Sequence, residues 1–140
     1  MKKLRILIAE DDAISAILIS RYVGVFGNDI LHAENGVEAV NVFRNHPDID
    51  LVLMDIKMPQ MDGYDAVRQI RQLDKKVIII AQTAYALAGD REKALDAGCN
   101  DYVSKPMDRN ALVNLIKGYF SNFEPTESNI TSKNTLSANE

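Results

Sequence analysis

The chain of 140 residues has a single cysteine, Cys99, so no internal disulfide can form, and Cys99 reads as a small residue at a helix end. It has no excess of positive charge. The 16 Lys and Arg are outnumbered by 20 Asp and Glu, giving a formal net charge of -4, and non-specific nucleic-acid binding needs a basic face. No apolar run reaches the roughly 18 residues that a membrane span requires. No signal peptide is visible, because Met1-Lys2-Lys3 runs directly into a strand-like segment. These absences point to a cytoplasmic chain, or a cytoplasmic piece of a longer one, without membrane contact or nucleic-acid binding of its own. What remains is ordinary: 46% hydrophobic and 26% charged residues, enough for one domain with a normal core.

Apolar runs alternate with longer helical patterns. Leu4 to Ala9 predicts the first strand. Ile14, Ile17, Leu18 and Val23 have helical spacing and predict a helix over 13–26, ended by Gly27-Asn28. Asp29 to Ala33 predicts a short second strand. Glu34-Asn35-Gly36 opens a helix carrying Val37, Val40 and Phe43, which His46-Pro47 closes. The third strand is Asp50 to Met54, and the helix after Asp62-Gly63 carries Ala66, Val67 and Ile70. Val77 to Ala81 predicts a fourth strand, apolar on both faces, followed by a helix that ends at Gly98. Tyr102-Val103 is a short fifth strand, and a last helix runs from about Asp108 to Tyr119. Five strand–helix units in alternation imply right-handed crossovers and an α/β, doubly wound parallel sheet with helices on both faces. From Phe123 to Glu140 the chain is rich in Ser, Thr, Asn and Glu and has no period, so residues 1–122 form the domain and 123–140 a disordered tail or linker. Asn129-Ile130-Thr131 matches a glycosylation sequon that a cytoplasmic chain would not use.

In such a sheet, ligands bind outside the carboxyl ends of the strands. Those ends carry Glu10-Asp11-Asp12, then Asp55, then Gln82-Thr83-Ala84, then Ser104-Lys105-Pro106. Each has a bland alternative: Asp12 caps the first helix, Glu10 and Asp11 are solvated loop acids, Asp55 is a turn residue before Pro59, Thr83 caps the fourth helix, and Lys105 is a surface lysine. Together these readings are strained, because several acids at one rim repel one another unless a cation offsets them. A hard divalent ion with oxygen ligands, such as Mg²⁺, suits them, and Lys105 adds a further positive charge. A carboxylate beside such a metal can attack phosphorus to form an acyl phosphate, with a hydroxyl and an ammonium on the remaining oxygens. Asp55 is placed for that attack.

Four segments, "ILIAEDD" at 6–12, "LVLMDIKMPQMDG" at 51–63, "IIIAQTAYA" at 78–86 and "DYVSKP" at 101–106, resemble in order and spacing those of two-component response regulator receiver domains. The resemblance covers about residues 3–122. It implies a five-stranded flavodoxin-like fold and a regulatory phosphoacceptor domain rather than an enzyme with a substrate of its own, although such domains assist their own phosphorylation and dephosphorylation. Asp55 would accept a phosphoryl group from a phosphohistidine on a histidine kinase or histidine phosphotransfer protein. Mg²⁺ (or Mn²⁺) would be held by Asp11, by Glu10 directly or through water, by Asp55 and by the backbone carbonyl of Lys57. Thr83 would hydrogen-bond the phosphoryl group and Lys105 would pair with it. Tyr102 would be the switch aromatic, turning inward as Thr83 shifts, and Lys105-Pro106 would be a cis bond.

The added negative charge draws Thr83 and Lys105 toward it and repacks the face of helix four, strand five and helix five, which a downstream protein would read. Glu10 stands where the family often has Asp, and its extra methylene changes reach. Lys57 brings a cation to the pocket mouth, and small Ala84 leaves the pocket open to a donor. The first helix, with Ile14, Ser15 and Leu18, would choose the kinase. The sequence around 83–108 looks most like receivers attached to hybrid histidine kinases, and a stand-alone receiver is the other form. Two other classes fit less well. A phosphohydrolase of haloacid-dehalogenase type needs a second Asp where Lys57 stands. A flavodoxin-like FMN carrier needs a Ser/Thr/Gly-rich loop where Glu10-Asp11-Asp12 stand.

Overall fold

The computed structural model describes residues 3–58, 60–83, 89–105 and 108–120. The readings made for Pro59, Ala84, the cis bond at Pro106 and the tail at 123–140 lie outside the described residues. Five strands, β1 (Arg5–Ala9), β2 (Asp29–Ala33), β3 (Leu51–Asp55), β4 (Ile78–Thr83) and β5 (Asp101–Ser104), form one sheet in the order β2-β1-β3-β4-β5. Every pairing is parallel, and the register aligns the carboxyl ends: Ala9 with Met54, Asp55 with Gln82, Thr83 with Ser104. Five helices follow the strands: α1 (Ala13–Val23), α2 (Gly36–Asn45), α3 (Gly63–Leu73), α4 (Asp90–Ala97) and α5 (Arg109–Tyr119).

The unbroken apolar strands have two cores to fill, because successive side chains point to opposite faces. Ile6, Ile8, Leu51, Leu53 and Ile80 pack with Ile19 and Val23 of α1 and Leu112, Val113 and Ile116 of α5. Leu7, Ala9, Val52, Met54, Ile79 and Ala81 pack with α2, α3 and α4 through Phe43, Ile70 and Ala94 among others. Side-chain oxygens cap four of the helices: Asp12 accepts from Ser15 N–H, Asn35 from Glu38, Asp62 from Asp65 and Asp108 from Ala111. Asp12 is therefore the cap of α1. The N-cap of α4 is Gly89, with φ of 88°, so Thr83, the last residue of β4, does not cap that helix.

Several boundaries differ from the periodicity. Asp55 belongs to β3 rather than following it, and β4 continues through Gln82 and Thr83, because neighbouring strands offer ladder partners to polar residues as readily as to apolar ones. The first helix ends at Val23, and Gly24–Phe26 tightens into a 3-10 turn that buries Phe26. Its buried stripe is also different. Ile19 and Val23 are buried, whereas Ile14 is 77% and Leu18 46% exposed. Two apolar stripes with helical spacing compete on this helix, and the exit from β1 presents the second to the sheet.

One close approach fixes the turn after β3. Gly63 N–H donates to the Ile56 carbonyl at 3.1 Å, and a Cβ on Gly63 would lie 2.6 Å from the Asp55 carbonyl oxygen and 2.7 Å from Ile56 Cα. Both obstacles are main chain and cannot rotate away. Gly63→Ala is expected to lower stability by about 1–3 kcal/mol, despite the better helix propensity of Ala, and to shift the backbone amide resonances of 55–57. A denaturation midpoint equal to wild type would show that the turn yields freely.

Candidate functional site

The carboxyl ends of β1, β3 and β5 bring four charged groups together. Glu10 follows β1, anchored by its N–H to the Ala33 carbonyl at 2.9 Å. Asp55 ends β3. Glu10 and Asp55 are 3% and 4% exposed, while Asp11 is open to solvent. One oxygen from each of Glu10, Asp11 and Asp55 lies within 4.8 Å of the others. Lys105, just past β5 and held by its N–H to the Thr83 carbonyl at 2.7 Å, sends its ammonium to Glu10 Oε1 and to Asp55 Oδ2, the latter at 3.4 Å. Two backbone N–H groups complete the shell: Asp12 donates to Glu10 Oε2 at 3.2 Å and Lys57 to Asp55 Oδ1 at 3.1 Å. The Lys57 residue itself is exposed.

One ammonium among three carboxylates leaves negative charge uncompensated. Burial first, and then the charge of Asp55, push the Glu10 carboxyl up to about 7, against the opposing pull of the Lys105 hydrogen bond. For Lys105, burial pulls down, but the Glu10 hydrogen bond and the charges of Asp55 and Glu10 outweigh it and hold the ammonium above its ordinary value. A carboxyl whose native pKa exceeds its unfolded one makes stability fall as pH rises between the two. Here that window runs from the ordinary 4.5 to about 7. Without divalent metal, the urea midpoint is therefore expected to fall from pH 5 to pH 7.5, and Glu10→Gln to flatten the slope. A wild-type slope of the opposite sign, or one unchanged in Glu10→Gln, would overturn this account of Glu10.

The donor set suits a hard divalent cation: carboxylate oxygens only, two of them buried, and an exposed Asp11 on a side where waters can stay bound. The surplus negative charge at Glu10 is what such an ion would neutralise.

Thr83, 1% exposed, lies one residue beyond Gln82, the register partner of Asp55. Tyr102 lies on β5, half-buried against the α2–α3–α4 core, with its hydroxyl 3.4 Å from Asp90 Oδ2 at the start of α4. Burial, then the Asp90 charge, raise its pKa. Asp90 is buried, and its carbonyl also accepts from Tyr64 Oη at 3.4 Å. Asp90 and Gln82 are two residues to which sequence reasoning attaches no role. The only hint for Gln82 is an amide inside the apolar run of β4.

A family model described as the response regulator receiver domain matches residues 6–117. Among curated proteins, the sensor histidine kinase RcsC of Salmonella typhi is 36% identical over 114 residues, covering 81% of this chain. The chain spans only 12% of the length of RcsC. Among solved structures, the receiver domain of sensor histidine kinase PA1611 from Pseudomonas aeruginosa PAO1, with magnesium coordinated in its active-site cleft, is 34% identical with a TM-score of 0.77, covering 86% of this chain and 99% of that one. The receiver domain of Ssk1 from Saccharomyces cerevisiae, crystallised with the histidine phosphotransfer protein Ypd1, is 34% identical with a TM-score of 0.75, covering 82% of this chain and 87% of that one.

Proposed function

Because the chain belongs to the response regulator receiver domain family, we propose that it is a phosphoacceptor switch in which Asp55 takes a phosphoryl group from a phosphohistidine. The observation that carries this reading is the buried Asp55 carboxylate at the end of β3, 3.4 Å from the Lys105 ammonium and grouped with Glu10 and Asp11. An Asp55 oxygen forms a bond to phosphorus as the phosphorus–nitrogen bond breaks, and the histidine nitrogen keeps the bonding pair. Glu10, Asp11, Asp55 and the Lys57 carbonyl are the groups that would hold Mg²⁺, Glu10 directly or through water. When bound, Mg²⁺ supplies neutralisation of charge on the phosphoryl oxygens.

Lys105 pairs with the new phosphoryl group. It is already aimed at Asp55 by its backbone bond to Thr83, so little reorganisation is needed. The Thr83 hydroxyl donates to a phosphoryl oxygen. That shift opens room for the Tyr102 ring to turn inward, and the α4–β5–α5 face changes for a downstream partner. The donor is a histidine kinase or a phosphotransfer protein, and the complex of the Ssk1 receiver with Ypd1 supports the latter. The similarity to RcsC and PA1611 supports a place within a hybrid kinase, on the cytoplasmic side. Among the described residues no helix is long and apolar enough to cross a membrane.

The test is intact mass after incubation with Mg²⁺ and acetyl phosphate. A gain of one phosphoryl group that hydroxylamine removes is expected. Without such a gain, from acetyl phosphate or from a phosphohistidine protein, the reading fails.

A further inference from the structure

The chain has five methionines, and Met54, Met58 and Met61 lie among the described residues. Met54 and Met58 are 0% and 8% exposed. Met61 is only half-buried, on the loop between β3 and α3. A thioether that solvent can reach is oxidised by peroxides before one sealed in a core. Among the described residues Met61 is also the methionine whose sulfur takes a hydrogen bond: the Gln69 side chain of α3 donates to it from Nε2 at 3.6 Å. A thioether is a weak acceptor, so this half-buried amide is poorly matched as it stands. A sulfoxide oxygen is a strong acceptor. The Met side chain has three rotatable bonds and can turn that oxygen into the place the sulfur now holds.

The surroundings restrict where the change can go. A Cβ on Gly36, the first residue of α2, would lie 2.4 Å from the Met61 carbonyl oxygen and 2.8 Å from Met61 Cβ. The Met61 main chain is therefore seated on α2 and cannot recoil toward it. The far end of the loop is pinned by the Gly63 N–H on the Ile56 carbonyl. An added oxygen must be absorbed by the side chain. That side chain packs against the α2–α3–α4 core, where a polar oxygen without a donor is costly. Gln69 supplies the donor.

We propose that Met61 is a reversible oxidation site, at which the Gln69 amide takes up the sulfoxide oxygen and so lets the native fold persist. A sulfur lone pair attacks one oxygen of hydrogen peroxide and the oxygen–oxygen bond breaks. The proton on the transferred oxygen passes to the departing hydroxide, which leaves as water. Sulfur loses two electrons and the peroxide gains them. A sulfoxide reductase reverses the change with two electrons from thiols, which become a disulfide, and the oxygen leaves as water. The inference goes beyond the phosphoacceptor reading and does not depend on it, because neither Asp55 nor a metal takes part.

The experiment treats the full chain, native and without metal, with hydrogen peroxide and follows each methionine by peptide mass. Met61 is expected to gain one oxygen atom roughly tenfold or more faster than Met54 and Met58, and the difference is expected to vanish in denaturing urea. In the ¹⁵N-labelled oxidised chain the native spectrum persists and the Gln69 side-chain amide resonance moves. Methionine sulfoxide reductases for both epimers return it to its first position. Gln69→Leu still oxidises, but oxidation lowers its urea midpoint more than that of wild type. Gln69→Glu, which keeps the shape and has no amide donor, makes the same comparison if the leucine variant does not fold. The proposal is overturned if Met61 oxidises no faster than the two buried methionines, or if the Gln69 resonance stays in place. Unfolding of the oxidised wild type, failure of the reductases to restore the spectrum, or an equal midpoint loss in wild type and the Gln69 variants overturns it too.

Discussion

Asp55→Asn is expected to take up no phosphoryl group from acetyl phosphate while keeping the fold. The amide has nearly the shape of the carboxylate, so β3 and its ladder to Gln82 are undisturbed. Its nitrogen and oxygen lack the anionic lone pair that must attack phosphorus. The substitution also relieves part of the crowding, because the Asp55 charge is one of the influences that push Glu10 up. With that charge gone, Lys105 faces one buried carboxylate instead of two, and the metal-free variant is expected to be at least as stable as wild type at pH 7.5. Loss of labelling together with retained or raised stability separates a missing nucleophile from a damaged fold. Undiminished labelling in Asp55→Asn would move the acceptor to another acid, and Asp11, the exposed member of the cluster, would be tested next.

Lys105→Met is expected to have the largest effect on stability. The side chain is about as long and remains apolar, but the charge that spans Glu10 and Asp55 disappears. Removing one partner of a buried ion pair costs about 3–5 kcal/mol, because the other charges stay buried without compensation. The full loss is expected at pH 8 in the absence of metal, read as the shift of the urea midpoint at constant m-value. Two conditions should reduce it. At pH 5 Glu10, already displaced upward by burial, takes up a proton and needs no counter-charge. At pH 8, Mg²⁺ supplies a substitute positive charge and stabilises the native state by mass action. A change of less than about 0.5 kcal/mol at pH 8, the range of ordinary surface substitutions, would show that the lysine does not hold the cluster together.

Much of this is legible in the sequence. A parallel sheet buried on both faces demands unbroken apolar strands, and Ile6 to Ala9, Leu51 to Met54 and Ile79 to Ala81 supply them. Because every such strand ends on the same edge, listing the residues after each run was enough to name Glu10, Asp11, Asp55, Thr83 and Lys105 as neighbours on one rim. The cap of α1 was legible for a similar reason, since a cap is a contact over three residues, as between Asp12 and Ser15, whereas the Thr83 cap expected for α4 gives way to Gly89.

What periodicity left undecided is whatever depends on partners far along the chain. It could not choose between the two apolar stripes of α1, because both have the same spacing and only packing on the sheet selects Ile19 and Val23. It did not foresee that the nearer carboxylate partner of Lys105 is Glu10, 95 residues away, rather than Asp55. It passed over Gln82, a buried amide on the α1–α5 side of the sheet, and Asp90, which gains significance from Tyr102 and Tyr64 on other elements. Local sequence thus determined the strands, the cap of α1 and the identity of the rim residues, because those rest on side-chain alternation and short-range hydrogen bonds. Tertiary structure alone decided the charge pairing and the exposed face of α1, because burial and Coulomb interactions depend on distances that sequence spacing does not encode.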